Sequence, residues 1–164
     1  MAIIAGAGQD GVTTFDVSNS CRFDDTSTDY FNRTPSSAGT RTKYTISVWV
    51  KRSDIGDENF IIAADNPNNN TADALRFAAS GTDKLQYMFG GTSAGNLITN
   101  AVFRDPFAWY HIVVAVDTTQ GTASNRVKLY INGSQITSFA TESYPTQNYT
   151  GDMTDDGLHR IGMD

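Results

Sequence analysis

"WYHIVVAVDTTQGTASNRVKLYINGSQITSF", residues 109 to 139, is the stretch from which the fold can be read. Its first run places Tyr110, Ile112, Val114 and Val116 on one side, and Trp109, His111, Val113 and Ala115 on the other. A period of two is the mark of a strand, because successive side chains leave a pleated backbone on opposite faces. After a polar loop, Val127, Leu129 and Ile131 alternate against Arg126, Lys128 and Tyr130, and Asn132-Gly133 follows. Both central residues of a type I′ turn need positive φ, which Asn and Gly tolerate best, so the pair predicts a tight hairpin. A slip of one residue would carry every aliphatic side chain into water, which fixes the register.

The same period extends outward. In "KYTISVWVK" (43–51), Tyr44, Ile46, Val48 and Val50 oppose Thr45, Ser47, Trp49 and Lys51. In "KLQYMFG" (84–90), Leu85, Tyr87 and Phe89 oppose Lys84, Gln86 and Met88. Shorter runs at 13–17, 20–24, 29–33, 59–64, 73–79, 96–103, 135–139 and 158–162 predict further strands. No stretch keeps a 3.6-residue repeat over the length of an ordinary helix. Short strands separated by Gly, Asn, Asp and Ser clusters predict an all-β fold, a two-sheet antiparallel jelly-roll sandwich. Two Asx-rich stretches, 64–73 and 142–157, are expected as loops at its rim, where binding sites are often built.

Composition agrees. The 164 residues fit one domain with a real core. Only 39% are hydrophobic and 18% charged, while 20 Thr, 13 Ser and 12 Asn supply an uncharged polar surface suited to strands and turns. The net charge is −6, with 12 basic residues scattered among 18 acidic ones, so nucleic acid is not an expected partner. No apolar run is long enough for membrane insertion. The opening "MAIIAGAGQDGVTTFDV" lacks the basic and long apolar regions of a signal peptide, which implies synthesis in a cytoplasm. Cys21 is the single cysteine; it allows no intrachain disulfide and reads as a small buried apolar residue.

"YTISVWVKRS", "WYHIVVAVD" and "VKLYINGSQI", in this order and spacing, resemble the concanavalin A-like jelly roll in its laminin-G-like form. The resemblance covers residues 20–164 and leaves 1–19 as an N-terminal arm or first strand. The stretch "DYFNRTPSSAGTRTKYTISVWVKRSDIG" (29–56) is similar to versions found in structural proteins of tailed, especially marine, bacteriophages. What this implies is a non-enzymatic virion protein on the particle surface, in a tail fibre or adsorption device or as a capsid decoration protein. Its implied partners are host-surface glycans, other virion proteins and copies of itself. The alternative is a free carbohydrate-binding, lectin-like module or a weakly glycan-hydrolysing one, since this fold serves many functions. Members of the family usually continue past the "HRIG" strand into a Phe-, Gly- and Tyr-rich strand that closes a sheet. Here the sequence ends at "RIGMD", which implies either a longer protein or an edge covered by a neighbouring chain.

Glycan hydrolysis needs two carboxyl groups roughly 5–10 Å apart. The two glutamates, Glu58 and Glu142, lie in no alternating acidic strand, and Asp54, Asp57 and Glu58 read as a turn, so no catalytic residue is assigned. His111 and His159 fall in strand patterns with no nucleophile motif beside them. Sugar binding has better candidates. Trp49, His111 and Tyr130, with Gln86 and Lys128, fall on polar strand faces, and a flat ring with polar neighbours suits the C–H side of a pyranose. Asn66, Asn68 and Asn70 are candidates to hydrogen-bond its hydroxyls. The other reading of Trp49 and Trp109 is packing in the core or beneath a loop. Calcium is the one candidate cofactor. "DMTDDG" spaces Asp152, Thr154 and Asp156 as in an EF-hand loop, but the twelfth position is Met163 where a bidentate Glu belongs. The laminin-G-like resemblance implies a calcium ion at the rim, with Asp65, Asp73 and Asp117 as loop-end candidates.

Overall fold

The alternating runs become strands in the computed structural model, which describes residues 19–23, 29–52, 54–65, 72–78 and 82–163. Among these residues the strands are β1 (Phe31–Arg33), β2 (Lys43–Val50), β3 (Asn59–Asp65), β4 (Ala72–Phe77), β5 (Lys84–Phe89) and β6 (Gly95–Val102). They continue with β7 (Tyr110–Asp117), β8 (Val127–Ile131), β9 (Ser134–Gln135), β10 (Phe139–Ser143) and β11 (His159–Ile161). The described helices are two single 3-10 turns, Gly90–Thr92 and Ala123–Asn125, and none is long and apolar enough to cross a membrane.

Two antiparallel sheets result. The long sheet has seven strands in the order β1-β11-β3-β4-β5-β6-β10, and the short one has four in the order β2-β7-β8-β9. This is the all-β, two-sheet sandwich that the alternation predicts. Asn132 and Gly133 have φ of 49° and 81°, the turn geometry expected of the hairpin joining β8 to β9.

Parity decides which side chains each strand sends between the layers. Ile112 and Val114 of β7, Leu129 of β8, and Leu75, Leu85, Tyr87, Phe89 and Leu97 of the long sheet are fully buried between the layers. Each such side chain contributes about 1.5–3 kcal/mol by leaving water. Tyr44 of β2 reaches across the interior to Tyr87 of β5, with 2.8 Å between their hydroxyl oxygens. That contact ties the sheets through a hydrogen bond between the half-buried Tyr44 and the fully buried Tyr87.

Four expectations change. The 135–139 run divides into β9 and β10, because the polar Thr137-Ser138 step is where the chain leaves one sheet for the other. Of the expected strand at 20–24, residues 20–23 form none, and the expected strand at 13–17 lies outside the described residues. Cys21 is exposed and not buried. Finally, the strand from "HRIG" is no edge: β11 sits inside the long sheet, between β1 and β3. The long edge lies instead at β2, whose eight residues pair with β7 on one side and with no described strand on the other.

Candidate carbohydrate-binding face

The outer face of the short sheet is built by the residues that alternate with the core. Register places Trp49 opposite His111, Ser47 opposite Val113, and Val113 in turn opposite Tyr130. Trp49, His111 and Tyr130, three residues that the sequence offers for sugar binding, therefore share one surface. The rings of Trp49 and His111 lie nearly parallel, 4.8 Å between centroids and 14° between planes. Ser47 Oγ stands 3.0 Å from His111 Nε2, and the Oδ1 atom of Asn132 accepts the His111 backbone N–H at 2.8 Å. The hairpin turn thus holds the strand that carries the imidazole, and the imidazole backs the indole.

Neither tryptophan is in the core: Trp49 is 57% exposed and Trp109 48%. That overturns their reading as packed residues. β2 lies at the sheet margin, and its odd-numbered residues are exposed while its even-numbered ones are half-buried. Trp109 and Lys51 follow just beyond the paired stretch with the same parity, and Lys51 Nζ lies 5.9 Å above the ring of Phe107, itself 83% exposed. The sequence could have signalled Ser47 and Trp109 by the same parity, but the pairing of residue 49 with 111 is a long-range fact.

Gln86 does not join this face. It belongs to β5 of the long sheet and is buried, its Oε1 accepting from Arg76 Nε and its amide donating to Asn96 Oδ1. Asn66, Asn68 and Asn70 lie outside the described residues.

The three rim aspartates are not brought together. Asp73 pairs in register with Ala64, which faces the core, while Asp65 pairs with Ala72, so their side chains leave opposite faces of the long sheet. Asp65 is bound by Arg160. Asp117 closes β7 on the short sheet, where the Thr119 hydroxyl, the Gln120 amide and then Lys43 bring its carboxyl down to about 2. Asp73 is fully buried. Burial lifts its carboxyl from 3.8 to about 6, against backbone N–H groups of Gly90 and Asp152 that donate to its two oxygens at 2.8 and 2.7 Å. In the "DMTDDG" stretch, Asp152 and Asp155 both meet Arg41 Nη2 at 2.9 Å. Among the described residues no three His, Cys, Asp or Glu side chains are grouped to hold a metal, so these residues do not fit a shared calcium ion.

The acids are equally dispersed. Glu58, just before β3, is engaged by Arg76, and Glu142, in the edge strand β10, accepts the Tyr144 hydroxyl at 2.9 Å; both belong to the long sheet. On the strands of the short sheet's outer face, the carboxylate is Asp117, at the far end from Trp49. The arrangement offers flat rings flanked by hydroxyls and lysines.

Compared with known proteins, residues 25–159 match a family model described as the concanavalin A-like lectin/glucanases superfamily. No curated protein and no solved structure matches the chain.

Proposed function

The chain belongs to the concanavalin A-like lectin/glucanases superfamily, and on that premise we propose that it is a non-catalytic module that binds glycan on the outer face of its short sheet. The superfamily's description spans lectins and glucanases alike, so the choice rests on the site. The observation that carries it is the exposed Trp49 ring, backed by His111 at 4.8 Å. A ring already stacked on one side and fixed by strand pairing offers its free side to a pyranose with little further loss of freedom. Ser47, Tyr130 and Gln135 border it with hydroxyl and amide groups that can meet sugar hydroxyls. Binding is favoured over hydrolysis because retaining and inverting mechanisms both need a carboxyl pair flanking the bond. Asp117, held by Lys43, Thr119 and Gln120, has no acidic neighbour on these strands.

The biological setting we propose is the outside of a virion, in a tail fibre or as capsid decoration. The likeness of residues 29–56 to tailed-bacteriophage structural proteins supports it. So does the β2 edge, which pairs with no described strand on its outer side and suits contact with a neighbouring chain, another copy or another virion protein. Many copies on one particle would make weak sugar contacts effective.

A glycan array probed with the full chain tests the binding reading. Retention by the wild type and loss on Trp49→Ala is the expected result. Steady release of reducing ends from any retained glycan would sink the non-catalytic part. Antibody labelling of intact particles tests the setting, and label confined to unassembled protein would count against it.

A further inference from the structure

The outer face of the short sheet is unusual in charge. The chain carries −6 overall and has four lysines, Lys43, Lys51, Lys84 and Lys128. Parity sends three of them to this one face: Lys43 in β2, Lys51 just beyond it, and Lys128 in β8 opposite Ala115 of β7. Lys84 belongs to the long sheet. Against the three stands Asp117, which Lys43 meets at 3.4 Å, leaving Lys51 and Lys128 with no carboxylate among the described strand residues of the face.

The two lysines bracket the aromatic pair. Going along β2 from its end, Lys51 comes first, then Trp49 beside His111, then Ser47 with Val113 and Tyr130, then Thr45 with Ala115 and Lys128. Each step is two residues, so the ammonium-bearing rows lie about 20 Å apart with the rings between them. A single terminal sugar is too short to touch both; an extended chain of several sugars is not.

From this placement we propose that the face takes an anionic linear polysaccharide, one pyranose resting on Trp49 and acidic groups on either side meeting Lys51 and Lys128. The proposal rests on the glycan-binding reading above and narrows it to a ligand class. Two sources share the chemistry, polyuronates through carboxylates and sulfated glycans through sulfate esters. Lysine suits either, since its ammonium acts as a mobile point charge without the fixed fork that selects one oxyanion shape.

Titration of the full chain with polygalacturonate, chondroitin sulfate and a neutral glucan of matched length tests the proposal. The expected result is binding to at least one anionic polymer about ten-fold tighter than to the neutral one, an advantage erased by molar salt. The double variant Lys51→Gln, Lys128→Gln, with its fold checked by circular dichroism, is expected to lose that advantage and bind the anionic polymers no more tightly than the neutral one. Whichever anionic polymer binds tighter identifies the source. Equal affinity for neutral and anionic polymers overturns the charge inference while leaving the Trp49 platform standing. Absence of binding to all three brings down both. Equal retention of a single-stranded oligonucleotide also overturns it, marking a general polyanion surface instead.

Discussion

Arg52 Nη1 and Asp83 Oδ1 lie 2.9 Å apart, with side chains only 1% and 3% exposed. The pair is part of a larger knot at one end of the sandwich. Arg52 also donates to the Phe103 carbonyl at 2.8 Å and covers the Phe77 ring, and Asp83 accepts from Gly56 N and Arg104 Nε. Removing one partner strands a buried charge, so Asp83→Ala is expected to cost about 3–5 kcal/mol in urea unfolding. Arg104, then Gly56 and Arg52, hold the Asp83 carboxyl below its ordinary 3.8. The stability this supplies is present above the unfolded value and is lost as pH falls through the lower, folded one. A loss under 1 kcal/mol would show that the knot is not a structural element.

Asp73 has the opposite sign. Its folded carboxyl sits at about 6, above the unfolded 3.8, so between these values the folded chain holds the proton that the unfolded chain has released. Stability from this group therefore falls as pH rises through that window. Measured against Asp73→Asn, in which the other carboxylates cancel, the wild-type melting temperature should decline in relative terms from about pH 4 to about pH 7. A relative rise over the same range would contradict the burial account.

Two glycines separate backbone strain from crowding. At Gly133, with φ of 81°, an added Cβ would have no atom within 4 Å, so Gly133→Ala should cost about 1–2 kcal/mol through conformation alone. At Gly151 an added Cβ would stand 2.6 Å from Asp73 Oδ2 and 3.0 Å from the Tyr44 hydroxyl. Both neighbours are fixed by hydrogen bonds, so Gly151→Ala should cost at least as much, about 1–3 kcal/mol, by forcing them apart. Chemical denaturation of both variants checks this, and a neutral Gly151→Ala would show that the Asp73 carboxylate gives way.

The strands were legible because alternation is local: Ile112, Val114 and Leu129 announce their inner face within a few residues. The hairpin was legible because Asn-Gly has few other uses. What escaped the sequence is long-range. Arg52 and Asp83 are 31 positions apart and belong to no motif, and β11 enters between β1 and β3 from the far end of the chain. Gln86 misled for a related reason. Its strand is central in the wide sheet, where Arg76 and Asn96 side chains from both neighbours close over it. On the short sheet, parity put Trp49, His111 and Tyr130 on the outer sides of their strands, but their pairing across strands was not legible. The rim aspartates were read by loop position alone, which carries no information about whether their carboxylates converge.

The central claim is that glycan meets the outer face of the short sheet. The most direct measurement is a nuclear magnetic resonance titration of the isotope-labelled chain with the best glycan from the array. Shifts clustered at the Trp49 indole, His111 and Tyr130, and abolished by Trp49→Ala, are the predicted result. Shifts confined to residues 142–157, with the Trp49 indole unmoved at saturation, would contradict it.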